Sequence, residues 1–153
     1  PDRAVGEGGS MLSPDEIRDF NEAYRQDFNR HDADALRGYY ADRINWTGPG
    51  SADPVTDGDE IPDRYRALFR SFPDVHLEEF LHDFSEGYCN AHHWIMTGTN
   101  TGPMGEGEDE IAPTGRRFEI KGLSMLVLSD EGKIVNDHTY FDLSSMNSQL
   151  GLS

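Results

Sequence analysis

Two stretches in the second half of the chain concentrate side chains that can move protons. If Tyr88 to Thr101 is a strand, alternation places Tyr88, Asn90, His92, Trp94 and Met96 on one face, with Cys89, Ala91, His93, Ile95 and Thr97 on the other. Over Lys133 to Asp142 the same rule groups Ile134, Asn136, His138, Tyr140 and Asp142 against Val135, Asp137, Thr139 and Phe141. The second set reads as a packing face, apart from Asp137. If the first set lines a cavity, Asp142 stands at the strand's end beside Tyr140 and His138. Loss of water there would raise its carboxyl toward a useful general base, and His138 can share or shuttle the proton. Asp142 is equally placed to cap a short closing helix over Leu143 to Leu150, and the two roles are compatible. Asp137 is the fallback base.

Other chemistries lack their signatures. Five of the six histidines fall in this strand-rich half. None forms a His-x-x-x-His pair on a helix or a compact His-x-His group with a nearby carboxylate, so no metal site is expected. His92 and His138 are kept as pocket candidates. No Gly-x-Ser-x-Gly elbow, Walker loop or Gly-x-Gly-x-x-Gly after a strand is present. The Gly102 to Gly107 segment is Gly-rich but acidic, the wrong sign for cradling phosphate. Cys89 is the single cysteine, which excludes an internal disulfide, and its strand setting suits a packed thiol better than a nucleophile. Asn45-Trp46-Thr47 matches a glycosylation sequon without a secretory signal to give it use.

The elements that must position these residues fall into two halves. Pro1 to Ser10 is Gly-rich and aperiodic, and residues 1–12 read as a flexible leader to one domain over 13–153. Ser13-Pro14-Asp15-Glu16 combines an N-cap, Pro at the first helical position and Glu three residues after the cap. Ile17, Phe20, Tyr24 and Phe28 continue that helix along one apolar face. A short second helix capped by Asp32 is expected to carry Leu36, Tyr39 and Tyr40, its aromatic pair pointing inward. Ile44 to Thr47 reads as a strand broken by Gly48-Pro49-Gly50. Ile61, Tyr65, Leu68, Phe69 and Phe72 recur at helical spacing until Pro73 forbids continuation. From Val75 onward the period is two. Strands are predicted over Val75–Phe84, Tyr88–Thr101, Arg116–Leu128 and Lys133–Asp142, with turns at Ser85-Glu86-Gly87 and Asp130-Glu131-Gly132 and a long acidic link over Gly102–Gly115. Helices followed by a run of antiparallel strands define an α+β fold, a cone in which helices close a strongly curved antiparallel sheet over an apolar cavity.

Bulk properties narrow the partners. A chain of 153 residues suits one core. No apolar run is long enough to span a bilayer, and the N-terminus lacks a basic segment followed by an apolar one, which points to the cytoplasm and away from membranes. The formal charge of −16 would repel nucleic acid and anionic lipid alike.

Four ordered segments carry a family resemblance: Phe72-Pro73-Asp74, Gly98-Thr99-Asn100-Thr101-Gly102, Pro113-Thr114-Gly115-Arg116, and Gly132-Lys133-Ile134-Val135 leading to Tyr140-Phe141-Asp142 and Gln149-Leu150-Gly151. Together, over roughly residues 14–151, they resemble the SnoaL-like polyketide cyclase and ester cyclase branch of the NTF2-like superfamily. The resemblance implies ring closure by aldol chemistry without a cofactor, an acidic residue removing a proton alpha to a carbonyl while the pocket holds the enolate. It matches Asp142 to the family's last-strand Asp. Asn100 stands where the family pattern has His, and His138 where it often has Trp. Asn100 can donate a hydrogen bond to an oxyanion but does not titrate near neutrality. The expected substrate is a polyketide-like or other secondary-metabolite small molecule, apolar or aromatic, clamped by Tyr40, Trp46, His92, Trp94 and Tyr140. The alternatives are an epoxide-opening or hydrating enzyme on the same fold and a non-catalytic small-molecule-binding protein. The outer sheet face, with Val127, Val135 and Phe141, is expected to pair with a second copy, since the fold's relatives are commonly dimers.

Overall fold

A computed structural model describes residues 12–152, and for residues 79–83 the backbone alone. The expected leader therefore lies outside the described residues, except for Leu12, which packs against the core. Helix α1 spans Pro14–Asn29 and starts as its sequence dictates: Glu16 N–H donates to Ser13 Oγ at 3.2 Å, and Ser13 N–H donates to the Glu16 carboxylate at 2.7 Å. Its buried face carries Ile17, Asn21 and Phe28. A five-residue helix, α2 (Ala33–Arg37), follows. It is shorter than expected, so Tyr40 opens strand β1 (Tyr40–Thr47) instead of ending a helix. Strand β2 (Val55–Asp57), absent from the sequence expectation, pairs antiparallel with β1, and a single 3-10 turn leads into α3 (Ile61–Ser71).

Strands β3 (His76–Glu86), β4 (Cys89–Thr99), β5 (Arg117–Leu128) and β6 (Ile134–Phe141) form the expected antiparallel meander, closed by α4 (Leu143–Leu150). The six-stranded sheet has the order β2-β1-β6-β5-β4-β3. It is mixed and not purely antiparallel, because β1 runs parallel to β6. The connection from β1 to β6 passes through most of the chain, which frees that pair from the hairpin geometry that forces antiparallel neighbours. The curved sheet and its covering helices form the NTF2-like α+β cone.

One irregularity decides which side chains face inward. Leu128 pairs with Ile134, but Val127 pairs with Asn136, so β6 contains one residue more than its partner around Val135. Such a bulge reverses the phase of alternation beyond it. Ile134 is fully buried on the inner face, and after the bulge the buried position is Asp137, with Tyr140 exposed.

The four segments that carry the family resemblance are fold clamps. Thr99 donates through its N–H and its hydroxyl to the two Asp74 oxygens at 2.6 and 2.7 Å. Asn100 is fully buried; its amide nitrogen donates to the Ser71 and Gly102 carbonyls and its oxygen accepts from Thr114 N–H. A Cβ on Gly102 would meet the Arg70 carbonyl at 1.8 Å, so only glycine lets the chain pass there. Gln149 grips both backbone groups of Glu119, fastening α4 to β5.

Candidate active site

Between the helices and the inner sheet face lies a cavity of about 270 Å³. Its floor comes from the strands: His92, Trp94 and Met96 of β4, Ser124 and Leu126 of β5, and Asp137, Thr139 and Phe141 of β6. Its walls are Tyr24 and Phe28 of α1, Trp46 of β1, Pro49 of the following loop, Ile61, Arg64, Tyr65 and Leu68 of α3, and Met146 of α4. The lining is mainly apolar with a few polar groups, the usual makeup of a small-ligand site.

The polar groups converge on one carboxylate. Asp137 is buried, and Tyr40 O–H donates to its Oδ2 at 2.7 Å while Thr139 O–H donates to its Oδ1 at 3.1 Å. Thr139 Oγ1 lies 2.9 Å from Ser124 Oγ, which accepts from Trp94 Nε1–H at 3.0 Å. With the Thr139 proton committed to Asp137, Ser124 donates to Thr139, and the chain runs in one direction from Trp94 through Ser124 and Thr139 to the carboxylate. On the other side Tyr40 meets the hydroxyls of Tyr24 at 3.2 Å and Tyr65 at 3.4 Å, and Tyr24 and Tyr65 are hydrogen-bonded to each other. Three phenols thus connect the cavity wall to Asp137 Oδ2.

Register explains the grouping. Thr139, Ser124 and His92 form one transverse row across β6, β5 and β4, and Phe141, Gly122 and Trp94 form the next. The Trp94 indole lies over Gly122, where an added Cβ would sit 2.2 Å from the ring. That missing side chain lets Trp94 lie across the sheet and reach Ser124.

Burial sets the charge states. Loss of water pushes the Asp137 carboxyl up to about 6, against the opposing effect of its Tyr40 and Thr139 hydrogen bonds and the nearby His138. Burial pushes His92 down to about 4, so its imidazole is neutral at pH 7. The Tyr65 phenol is pushed up to about 12, and Tyr24 and Tyr40 are raised as well, again chiefly by burial. All three remain protonated near neutrality.

The candidates named from the sequence separate. Trp46, His92, Trp94 and Asp137 line the cavity, and buried Tyr40 touches it through Asp137. Asp142, Asn100, His138 and Tyr140 do not line it. The inner face of β6 is the odd-numbered one, a correction that follows from the bulge. Asp142 is exposed and caps α4, its carboxylate accepting from Ser145 N–H at 2.9 Å. His138 Nδ1 is 2.7 Å from Thr47 Oγ1, and Tyr140 is 56% exposed. Every polar atom of the Asn100 side chain is committed to backbone, away from any oxyanion position. Phe141, expected on the outer face, lines the cavity. Sequence reasoning passed over Tyr24, Tyr65, Ser124 and Thr139. Ser124 had a signal, a lone hydroxyl in the inward series Phe118, Ile120, Gly122, Leu126, Leu128. Among the described residues no His, Cys, Asp and Glu side chains group as metal ligands.

A mixed, curved sheet roofed by helices over an apolar cavity defines the NTF2-like class of folds. The sequence model for SnoaL-like polyketide cyclases matches residues 18–150, and the chain belongs to that family. Its structure is similar to that of TsrD from Streptomyces laurentii, with a TM-score of 0.78 at 18% identity, covering 93% of this chain and 99% of that one. It is similar to IdmH from Streptomyces antibioticus, a candidate polyketide cyclase, with a TM-score of 0.69 at 27% identity over 88% and 97% of the two chains. SalBIII, an epoxide hydrolase/cyclase-like enzyme in pyran ring formation of the polyether salinomycin, gives a TM-score of 0.72 at 17% identity over 88% and 97%. None of the curated proteins matches the chain significantly in sequence. No helix among the described residues is long and apolar enough to cross a membrane.

Proposed function

We propose that the protein is a cofactor-independent cyclase in which Asp137 removes a proton alpha to a carbonyl of an apolar, polyketide-like substrate, and the enolate then closes a ring by an aldol-type step. The observation that carries this reading is a buried carboxyl, raised to about 6, held by hydroxyl donors at the polar end of an apolar cavity. A base tuned near the working pH is ionised often enough to act and basic enough to take the proton. The neutral His92 and the Tyr24–Tyr65 pair, which keeps one phenol proton beyond the one spent on their mutual hydrogen bond, supply uncharged donors for the enolate oxygen. Trp46 and Trp94 clamp the ring system.

Proton abstraction can be read without knowing the natural substrate. 2-Acetonaphthone, a flat ketone with exchangeable methyl protons, is incubated in deuterium oxide and its deuterium uptake followed by mass spectrometry. Wild-type protein should accelerate uptake, and Asp137→Asn should lower the catalysed rate by roughly 10²–10⁴-fold, the span of general-base catalysis. Equal catalysed rates would remove Asp137 from the base role. We further propose that the molecule is a homodimer through the outer sheet face, where Leu123, Met125 and Tyr140 are exposed and Leu123 pairs directly with Tyr140. Apolar patches of this kind mark interaction surfaces.

A further inference from the structure

The cavity has one cationic side chain at its rim, and that side chain has nothing to hold. Arg64, on the second turn of α3, is the only exposed residue of the lining. Its guanidinium carbon lies 4.6 Å from the centre of the Trp46 ring, a cation–π contact that fixes the group beside the opening. Among the described residues it takes part in no ion pair and no hydrogen bond with the protein. Acids close to it in sequence are committed to other arginines. Asp63 is paired with Arg66 at 2.7 Å and Asp59 with Arg37 at 2.8 Å. In a chain of net charge −16, Arg64 is the one cation that the cavity lining carries. Its fork of N–H donors suits a planar carboxylate, and the Trp46 face holds it without consuming those donors.

We propose that Arg64 is a specificity residue that selects substrates carrying a carboxylate at the end of their apolar body, the body entering the cavity and the carboxylate staying at the rim. This deepens the proposed function, because it rests on reading the cavity as the substrate site. The orientation follows from the two ends: an anionic end driven inward would meet the ionised Asp137, and the rim is where the compensating cation stands. The protein's negative field disfavours anions in general, so a local cation is required wherever one is to bind.

Both tryptophans of the chain line the cavity, so intrinsic fluorescence reports its occupancy. Titrations at pH 7.5 compare 2-naphthoate with neutral 2-naphthamide, which share one ring body. Wild type should bind naphthoate about tenfold more tightly than naphthamide, the order expected of one charge-assisted contact at a rim. Arg64→Gln should bring that ratio to about one while leaving naphthamide affinity unchanged, and Arg64→Lys should keep part of it. Asp137→Asn should retain the preference. Equal binding of the two probes by wild type, or a preference that survives Arg64→Gln, overturns the role of Arg64 and leaves the cavity reading intact. Failure of both probes to bind overturns the cavity reading and this inference together.

Discussion

Asp137 and Asp142 are both carboxylates of one short segment, five residues apart, and their surroundings give them different work. Asp137 is buried between two hydroxyl donors and raised to about 6. Asp142 is exposed and serves the first turn of α4. Replacing Asp142 with Ala should therefore cost about 1 kcal/mol of stability, as loss of an N-cap does, and leave deuterium exchange into 2-acetonaphthone within twofold of wild type. Thermal denaturation alongside the exchange assay checks both halves of that expectation. The positioning hydroxyl belongs to Thr139. In Thr139→Val the carboxylate loses a donor that favours its ionised form, so the pH at which exchange reaches half its maximum should move upward, where simple loss of packing would lower the rate at all pH values. A profile of exchange rate against pH for the two proteins decides it.

Between strands, the bulge near Val135 determines which chemistry faces the cavity. Strict alternation along β6 predicts His138, Tyr140 and Asp142 inside, and one inserted residue exchanges that set for Asp137, Thr139 and Phe141. The helix starts, the helix stop at Pro73 and the four meander strands were legible because capping boxes, proline and period-two patterns act within a few residues of chain. The face of β4 was legible for the same reason, since its register with β5 runs without interruption from Cys89 to Thr99. The phase of β6 was not, because a bulge is defined by the partner strand. Nor was the parallel pairing of β1 with β6, which joins residues some ninety positions apart, as in Thr47 with His138. The segments that made the family recognisable hold strand ends to helix ends. Asn100→Ala should accordingly unfold at markedly lower temperature, at a cost on the order of 1–3 kcal/mol for each buried backbone group left unpaired, with naphthamide affinity preserved wherever the protein remains folded.

For the molecule as a whole, two buried groups oppose each other in acid. The folded chain keeps the Asp137 proton up to about 6, whereas the unfolded chain releases it near 3.8, so this group adds stability as pH falls across that interval. His92 does the reverse: the unfolded chain takes up a proton near 6.5 and the folded one only near 4, so stability is lost as pH falls through that range. Melting curves of Asp137→Asn and His92→Phe, each subtracted from wild type between pH 7 and 4, should slope in opposite directions. Two curves of the same sign would contradict the burial of one of the two groups. Oligomeric state belongs to this scale as well: sedimentation should give a dimer for wild type and a monomer for Met125→Lys on the outer sheet face, and a monomeric wild type would remove that face from the account. The proposed reaction depends on one carboxyl being protonated in acid and ionised just above neutrality. Carbon-13 NMR titration of the aspartate side-chain carbonyls, assigned by the signal missing in Asp137→Asn, measures this directly. Asp137 should titrate near 6 and shift when neutral 2-naphthamide occupies the cavity; a titration in the ordinary range near 4, or a signal blind to the ligand, would contradict it.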